Sequence, residues 1–445
     1  MFISSVWRRS RLYHVSVRNI RRFWKNTGYG WRPAENIYRA KPLIDIMRQV
    51  PDPRCGRKTK HDCAEVLVCL TVGYLAGRTT IRRALKWCRK HIDFLREDML
   101  LENGIASVST ASRILSGIDE ELFALTFIEW IGTIVNTRGT HLAIDGKALR
   151  AAMNKVRDFR TPMILNVIDA VKGIVLAQMP IERKDCEITA IPELLNLLAI
   201  KGSVVTIDAI GTQTGIMRQI VRQGGSFVLT VKKNQPEAYG EIMKYFDGEG
   251  RESESYDKAV YHEKNRDRHE HRTYESSGDC SCISKFRDEW DFLKTMGRSR
   301  QVRIPLERDE TGNDITPTED VFLKNGSRRR PLPSSGDGER NDIQLVGLIS
   351  DRKMGAEELG RYKREHWAIE NRLHHVLDDS FREDRSPAKK SKNNLALIRK
   401  FAYNILRIAM IQKACCSIMT EAMDDFCDDL SLIKRYVFDG ILSFY

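Results

Sequence analysis

Two aspartates stand in matching surroundings. Asp145 ends the apolar run Leu142-Ala143-Ile144 and is followed by Gly146-Lys147, while Asp208 ends Val204-Val205-Thr206-Ile207 and is followed by Ala209. An acid at the end of a buried strand is fixed by a rigid scaffold and stays open to solvent or ligand. Asp-Gly after a strand is also an ordinary turn signal, so either aspartate alone says little and the pair says more. A third acid, Glu370, lies in Arg364-Glu365-His366-Trp367-Ala368-Ile369-Glu370-Asn371. Spacing of i, i+4, i+8 puts His366, Glu370 and His374 on one helical face. That face reads as a solvated charged stripe, as a zinc site, or as a carboxylate docked over a sheet. Neither Cys-x-x-Cys nor His-Glu-x-x-His is present to supply the other ligands of a zinc site.

Three carboxylates so distant in sequence act together only if the fold gathers them. Gathered, they repel one another and call for divalent cations, and oxygen ligands of this kind suit Mg²⁺ or Mn²⁺. Two such ions about 4 Å apart clamp the attacking and leaving oxygens of an in-line phosphoryl displacement. No activated Ser, Tyr or Cys nucleophile is evident for a covalent route. Basic and amide groups flank the acids: Lys147, the run Lys232-Lys233-Asn234-Gln235, and Arg268-His269-Glu270-His271-Arg272. Taken singly, each cluster reads first as solvated surface.

The elements that would position these residues are legible as changes of period. Residues 42–136 read as helices, with Ala64, Leu67, Leu70 and Leu75 at helical spacing and Ser109 as a cap before Ile114 and Leu115. Short β-rich runs follow at 141–144, 163–168, 174–179, 204–207 and 227–231, with helical candidates at 187–198 and 212–222 between them. That order predicts an α/β sheet of mixed pairing. From Asn234 to Asp342 the chain is charged and irregular, with Pro317, Pro331, Pro333 and Ser334-Ser335-Gly336-Asp337-Gly338, and reads as an insertion. Helical spacing resumes with Leu359, Tyr362, Ile369, Leu373 and Val376, and a last helix spans about 394–410.

Composition narrows the partners. The 445 residues carry 73 Lys and Arg against 60 Asp and Glu, a net charge of +13, which favours polyanions, nucleic acid first and an anionic membrane surface second. No run approaches the ~18 apolar residues of a membrane span; the richest, Phe401 to Ile411, is broken by Arg407. Ten scattered cysteines fit a reducing cytosol rather than a disulfide scaffold. The first 34 residues hold no acid and many arginines, compatible with a mitochondrial presequence, a DNA-binding arm or translated upstream sequence.

Over roughly residues 42–410 the chain resembles the DDE transposases of the ISAs insertion-sequence type, also called the H-repeat-associated family. The likeness rests on Pro51-Asp52-Pro53-Arg54, Ala143-Ile144-Asp145-Gly146-Lys147, Lys184 with Glu187-Ile188, Ile191-Pro192 with Leu194-Leu195, and Thr206-Ile207-Asp208-Ala209 with Gln213. It continues through Lys232 with Asn234-Gln235, Arg268 with Glu270 and Arg272, and His366-Trp367, Ile369-Glu370-Asn371, Leu373-His374, Leu377-Asp378 and Phe381. The family commonly has Lys-Ser-Asn-Glu-Ile where this chain has Lys184-Asp185-Cys186-Glu187-Ile188, His-Gly-Arg at Arg266-Asp267-Arg268, and Trp at His375.

The resemblance implies an RNase H-like catalytic domain with a mixed β-sheet and an insertion before the final catalytic helix, preceded by a small helical domain. It implies a helical domain at 42–136 and a catalytic domain at 137–412 with the insertion at about 235–345; the basic arm at 1–41 and the tail at 413–445 lie outside the likeness. It implies Asp145, Asp208 and Glu370 as catalytic and metal-binding residues holding two Mg²⁺ ions, with Mn²⁺ as substitute. Water would cut DNA at the ends of an insertion sequence and the freed 3′-hydroxyl would attack target DNA, in the cytoplasm at the nucleoid, with a homodimer on the terminal inverted repeats. Lys147, Lys232, Asn234, Arg268, Arg272 and His366 are the expected DNA contacts. A metal-dependent nuclease without strand transfer and an inactive DNA-binding remnant are the alternatives.

Overall fold

The computed structural model describes residues 40–54, 59–149, 163–181, 186–265, 268–286, 288–308, 314–315, 342–386 and 390–442. Most of the basic arm, Lys184 and Asp185, Arg266 and Asp267, and the proline and glycine stretch at 331–338 lie outside the described residues. The chain forms two compact units, Met1–Asn136 with Ala388–Tyr445, and Thr137–Pro387.

The second unit is built on a nine-stranded sheet. Its strands are β1 (His141–Ala148), β2 (Met163–Asp169), β3 (Ile174–Ile181), β4 (Val204–Ile207), β5 (Ser226–Val231), β6 (Asp257–Asn265), β7 (Arg268–Ser277), β8 (Thr295–Pro305) and β11 (Asp342–Ser350). A separate two-stranded ribbon pairs β9 (Glu307–Arg308) with β10 (Asp314–Ile315). The sheet order is β3-β2-β1-β4-β5-β11-β8-β7-β6. β1, β2 and β3 form an antiparallel meander, and β4 and β5 continue parallel to β1. This order and sense over β1–β5 is the RNase H-like core. Buried on both faces, its strands carry near-continuous apolar runs: all of β2 and β4 is buried, as are Leu142, Ala143 and Ile144.

The stretch read from sequence as irregular carries the helix Pro236–Asp247 and the three long strands β6, β7 and β8, which extend the sheet through antiparallel pairing with β11. These strands looked unlike strands because their charges neutralise one another across the ladder. Arg272 pairs with Glu263 and Glu270, and buried Arg298 with Glu275 at 2.6 Å. β6, at the edge of the sheet, leaves most of its polar side chains in solvent.

The helix Ala356–His366 packs across the sheet, burying Leu359 and Tyr362 against Val204, Val228 and Leu348. A π-helical turn, Ile369–His374, and the helix His375–Asp379 follow it.

In the first unit Asp62, Thr80, Ser107 and Asp119 cap the helices Cys63–Leu75, Ile81–Lys90, Val108–Gly117 and Glu120–Gly132. The cap of the third is Ser107, whose hydroxyl accepts from the Thr110 amide, and not Ser109 as the sequence suggested. The 20-residue helix Lys392–Ile411 belongs to this unit, whereas the sequence reading ran the catalytic domain to 412. Its Asn394 amide donates to the carbonyls of Leu115 and Ile118, and Phe401 meets Phe123, Phe127 and Trp130 at ring centroids of 5.8, 4.9 and 4.8 Å. Phe401→Ala removes the centre of that aromatic cluster and should cost about 3–5 kcal/mol, read as a lower urea midpoint in tryptophan fluorescence. A cost below about 1 kcal/mol would mean that Phe401 does not organise the unit.

Candidate active site

Along β1 the residues of one face are His141, Ala143, Asp145 and Lys147, and the helical segment after β11 meets them in order. His141 Nδ1 lies 2.8 Å from Glu365 Oε2, Asp145 Oδ2 lies 3.7 Å from His374 Nδ1, and Lys147 Nζ donates to Asp378 Oδ1 at 2.6 Å. Glu370 Oε2 is 2.9 Å from His374 Nδ1, so this imidazole sits between the two carboxylates. One donor atom from each of Asp145, Glu370 and His374 falls within a 4.8 Å span.

Gly146 is required beside Asp145. A Cβ there would run into the buried Glu187 carboxylate, which opens the helix Glu187–Asn196, and would crowd Met163.

The titration behaviour of the acids differs with their surroundings. Burial pushes the Asp145 carboxyl up; His374 and the Gly146 amide oppose this, while nearby Glu370 and Asp208 add to it. The hydrogen bond from His374 holds Glu370 below the ordinary carboxylate range against partial burial. A carboxylate raised by burial, with two other acids near it, has room for more positive charge than the chain supplies. Two carboxylates and an imidazole converging there fit a divalent cation.

Asp208 stands apart from that trio. It follows β4, next to β1 in the sheet, and its Oδ1 accepts from Lys232 Nζ at 2.7 Å. Burial acts to raise its pKa, but the Lys232 hydrogen bond and charge outweigh it and hold the carboxyl at about 2. Lys363, whose Nζ reaches Thr230 Oγ1 at 3.1 Å, is pushed down to about 8 by burial and then by repulsion from Lys232, with Asp208 opposing.

The expected DNA contacts divide. Lys232 faces Asp208, and the Asn234 amide donates to the Ala209 carbonyl at 2.8 Å, so both lie at the Asp208 loop. Lys147 is buried and held by Asp378, Glu383 and Asp384, which leaves its charge neutralised inside the fold. His366 is buried with Nδ1 3.0 Å from Thr206 Oγ1, and burial, then the Lys363 charge, push it to about 3, so it is uncharged near neutral pH. It therefore departs from the face shared by Glu370 and His374. Arg268 and Arg272 gather around the buried Glu270 on β7, with Gln301 donating to the same carboxylate at 2.9 Å. β11 and β8 separate that cluster from β5.

Sequence reasoning assigned no role to His141, Lys363 or Thr206, although Thr206 lies in the motif Thr206-Ile207-Asp208-Ala209. Thr206 Oγ1 joins His141 Nε2 at 2.9 Å to His366, tying β1 and β4 to the covering helix. The one available signal was the polar Thr206 within an otherwise apolar strand.

Asp145 does not end its strand as the sequence suggested but lies within β1, which stays paired with β2 to Ala148, whereas Asp208 directly follows β4. An RNase H-like sheet with carboxylates on two adjoining strands and a third on the helical segment above them is the arrangement of the DDE class. The chain belongs to the transposase DDE domain family, whose profile matches residues 136–405, and a DDE transposase-associated profile matches residues 44–131. YncI of Escherichia coli O157:H7 is 28% identical over 368 residues, covering 82% of this chain and 87% of its own length. The H repeat-associated protein YhhI of Escherichia coli strain K12 is 27% identical over 379 residues, 84% of this chain and 92% of its own. The names of both class them as candidate transposases. A cryo-EM structure of a piggyBac transposase synaptic complex with hairpin DNA covers 89% of this chain and 76% of that one at 13% identity, with a TM-score of 0.38. No described helix is long and apolar enough to cross a membrane.

Lys232→Met removes what holds Asp208 ionised while leaving its burial. In a ¹³C carboxylate titration Asp208 should move from about 2 in the parent to above the ordinary value near 4 in the variant. The wild-type pair stabilises the fold fully above pH ~4 and loses that contribution as pH falls through the folded value, so the variant should lose less stability on acidification. An unmoved Asp208 would show that Lys232 is not its partner in solution.

Proposed function

We propose that this chain cuts DNA at the ends of an insertion sequence and joins the freed 3′-hydroxyl to target DNA, with Asp145, Asp208 and Glu370 holding the metal. The observation that carries this reading is the convergence of Asp145, Glu370 and His374 donors within 4.8 Å, with Asp208 at the neighbouring strand end. Two divalent ions, Mg²⁺ or its substitute Mn²⁺, supply Lewis-acid polarisation of the scissile phosphate and a water acidic enough to attack it. The residues of the chain do the rest. β1 and β4 fix Asp145 and Asp208 on a buried scaffold, and before a cation binds His374 holds the Glu370 carboxylate in place through its 2.9 Å contact.

Lys232 and Asn234 lie where a phosphate beside Asp208 would be gripped, and Arg268 and Arg272 supply charge farther along the sheet. Glu270 keeps those two arginines aligned while leaving part of their charge for a polyanion. Lys147 and His366 are left out of the DNA contacts, since one is neutralised and the other uncharged. Holding two element ends together favours a homodimer on DNA.

Cleavage of a plasmid carrying the sequences that flank this gene tests the reading. Wild type with Mg²⁺ or Mn²⁺ should cut at the ends and yield joined products, and chelator should stop it. Asp208→Asn and Glu370→Gln should lower cutting by more than about 100-fold, beyond what loss of an outer partner costs, while sparing DNA binding. Metal-dependent cutting without joined products would favour a nuclease, and binding without cutting a remnant. Arg268→Ala or Arg272→Ala should weaken binding across sequences and reduce the salt slope by about one per lost phosphate contact. An unchanged slope would remove β7 from the DNA interface.

A further inference from the structure

We propose that His374 is itself a ligand of the divalent cation, through Nδ1, so that the site formed with Asp145 and Glu370 is oxygen, oxygen and nitrogen and favours Mn²⁺ over Mg²⁺. The inference rests on the metal reading above and goes beyond it by assigning a non-carboxylate ligand and a metal preference.

The geometry comes first. Ligand atoms each about 2.1 Å from one ion lie at most about 4.2 Å apart. His374 Nδ1 is already 2.9 Å from Glu370 Oε2 and 3.7 Å from Asp145 Oδ2, and all three donors lie within 4.8 Å of one another. A contraction of about half an ångström therefore brings all three onto one ion. Asp208 does not belong to this preformed trio, being taken by Lys232.

The surroundings of the ring come second. His374 is 5% exposed and ends the π-helical turn that also carries Glu370, so the imidazole is fixed beside that carboxylate. Its Nε2 is buried and has no hydrogen-bond partner among the described residues. The tautomer of a histidine is set by the bond its other nitrogen makes, and no such bond commits this ring to hold its proton on Nδ1. A neutral imidazole with its proton on Nε2 presents the Nδ1 lone pair to the space between the two carboxylates. Imidazole suits Fe, Ni, Cu and Zn²⁺ best; Mn²⁺, like Mg²⁺, is first an oxygen binder, but Mg²⁺ gives up its waters reluctantly and demands near-ideal octahedral geometry, so a nitrogen donor costs Mg²⁺ more than Mn²⁺.

The test is pulsed electron paramagnetic resonance on the full chain loaded with Mn²⁺ in the absence of DNA. Wild type should show ¹⁴N coupling of a directly bound imidazole, replaced by ¹⁵N coupling when the chain is labelled with [¹⁵N]histidine. His374→Gln should lose the coupling and lower Mn²⁺ affinity by ~10-fold or more, with Mg²⁺ affinity changed much less. The wild-type spectrum decides the matter even if the variant fails to fold. Mn²⁺ bound without nitrogen coupling, and weakened by Asp145→Asn, would overturn the histidine ligand and leave the metal site standing. No Mn²⁺ binding at all would overturn both.

Discussion

The structure depends on one match of lengths. From His141 to Lys147 the strand advances about 20 Å, and from Glu365 to Asp378 a helix advances about the same. The side chains of one strand face therefore meet the helical segment rung by rung: His141 with Glu365, Asp145 with Glu370 and His374, Lys147 with Asp378. The first rung is a self-contained pair, and the last gathers three carboxylates, Asp378, Glu383 and Asp384, around the one buried Lys147. The middle rung sets two carboxylates against one imidazole, and burial raises Asp145 there as it raises Asp378 at the last rung. Three ligand atoms within 4.8 Å make the middle rung the one that fits a cation.

Positive charge in the catalytic unit is distributed to the same end. Lys147 is spent on Asp378, Glu383 and Asp384, which fastens the helix His375–Asp379 and the turn after it to β1. Lys232 keeps Asp208 ionised and in place, at the strand end beside the trio. A phosphate taking that lysine would free the aspartate for a cation, so under the proposed function the two ligands would help each other through one ion pair. Glu270 plays the corresponding part on β7, where a buried carboxylate gathers Arg268, Arg272 and Gln301 into one array.

Much of this was legible in the sequence, for physical reasons. β1, β2, β4 and β5 are central strands buried on both faces, so their apolar runs are continuous, and the runs of β1 and β4 break off visibly at Asp145, within β1, and Asp208, just after β4. The contact of Glu370 with His374 follows from helical spacing. The departure of His366 toward Thr206 does not, because nothing in the side-chain pattern announces the π-helical turn. The strands β6 and β7 were hidden because their charges pair across the ladder rather than alternating with apolar residues. The burial of Lys147 was equally hidden, since its partners lie more than 200 residues away and become neighbours only when the last helices fold over β1. The helix Lys392–Ile411 was legible as a helix, but the aromatic partners that assign it to the first unit were not.

The most direct test of this account is anomalous diffraction from crystals of the full chain bound to its end DNA and soaked in Mn²⁺. The account predicts anomalous density between Asp145 and Glu370 and between Asp145 and Asp208, with Lys232 moved from Asp208 onto a phosphate. Ordered carboxylates with no anomalous density at these residues, and Lys232 still on Asp208, would contradict it.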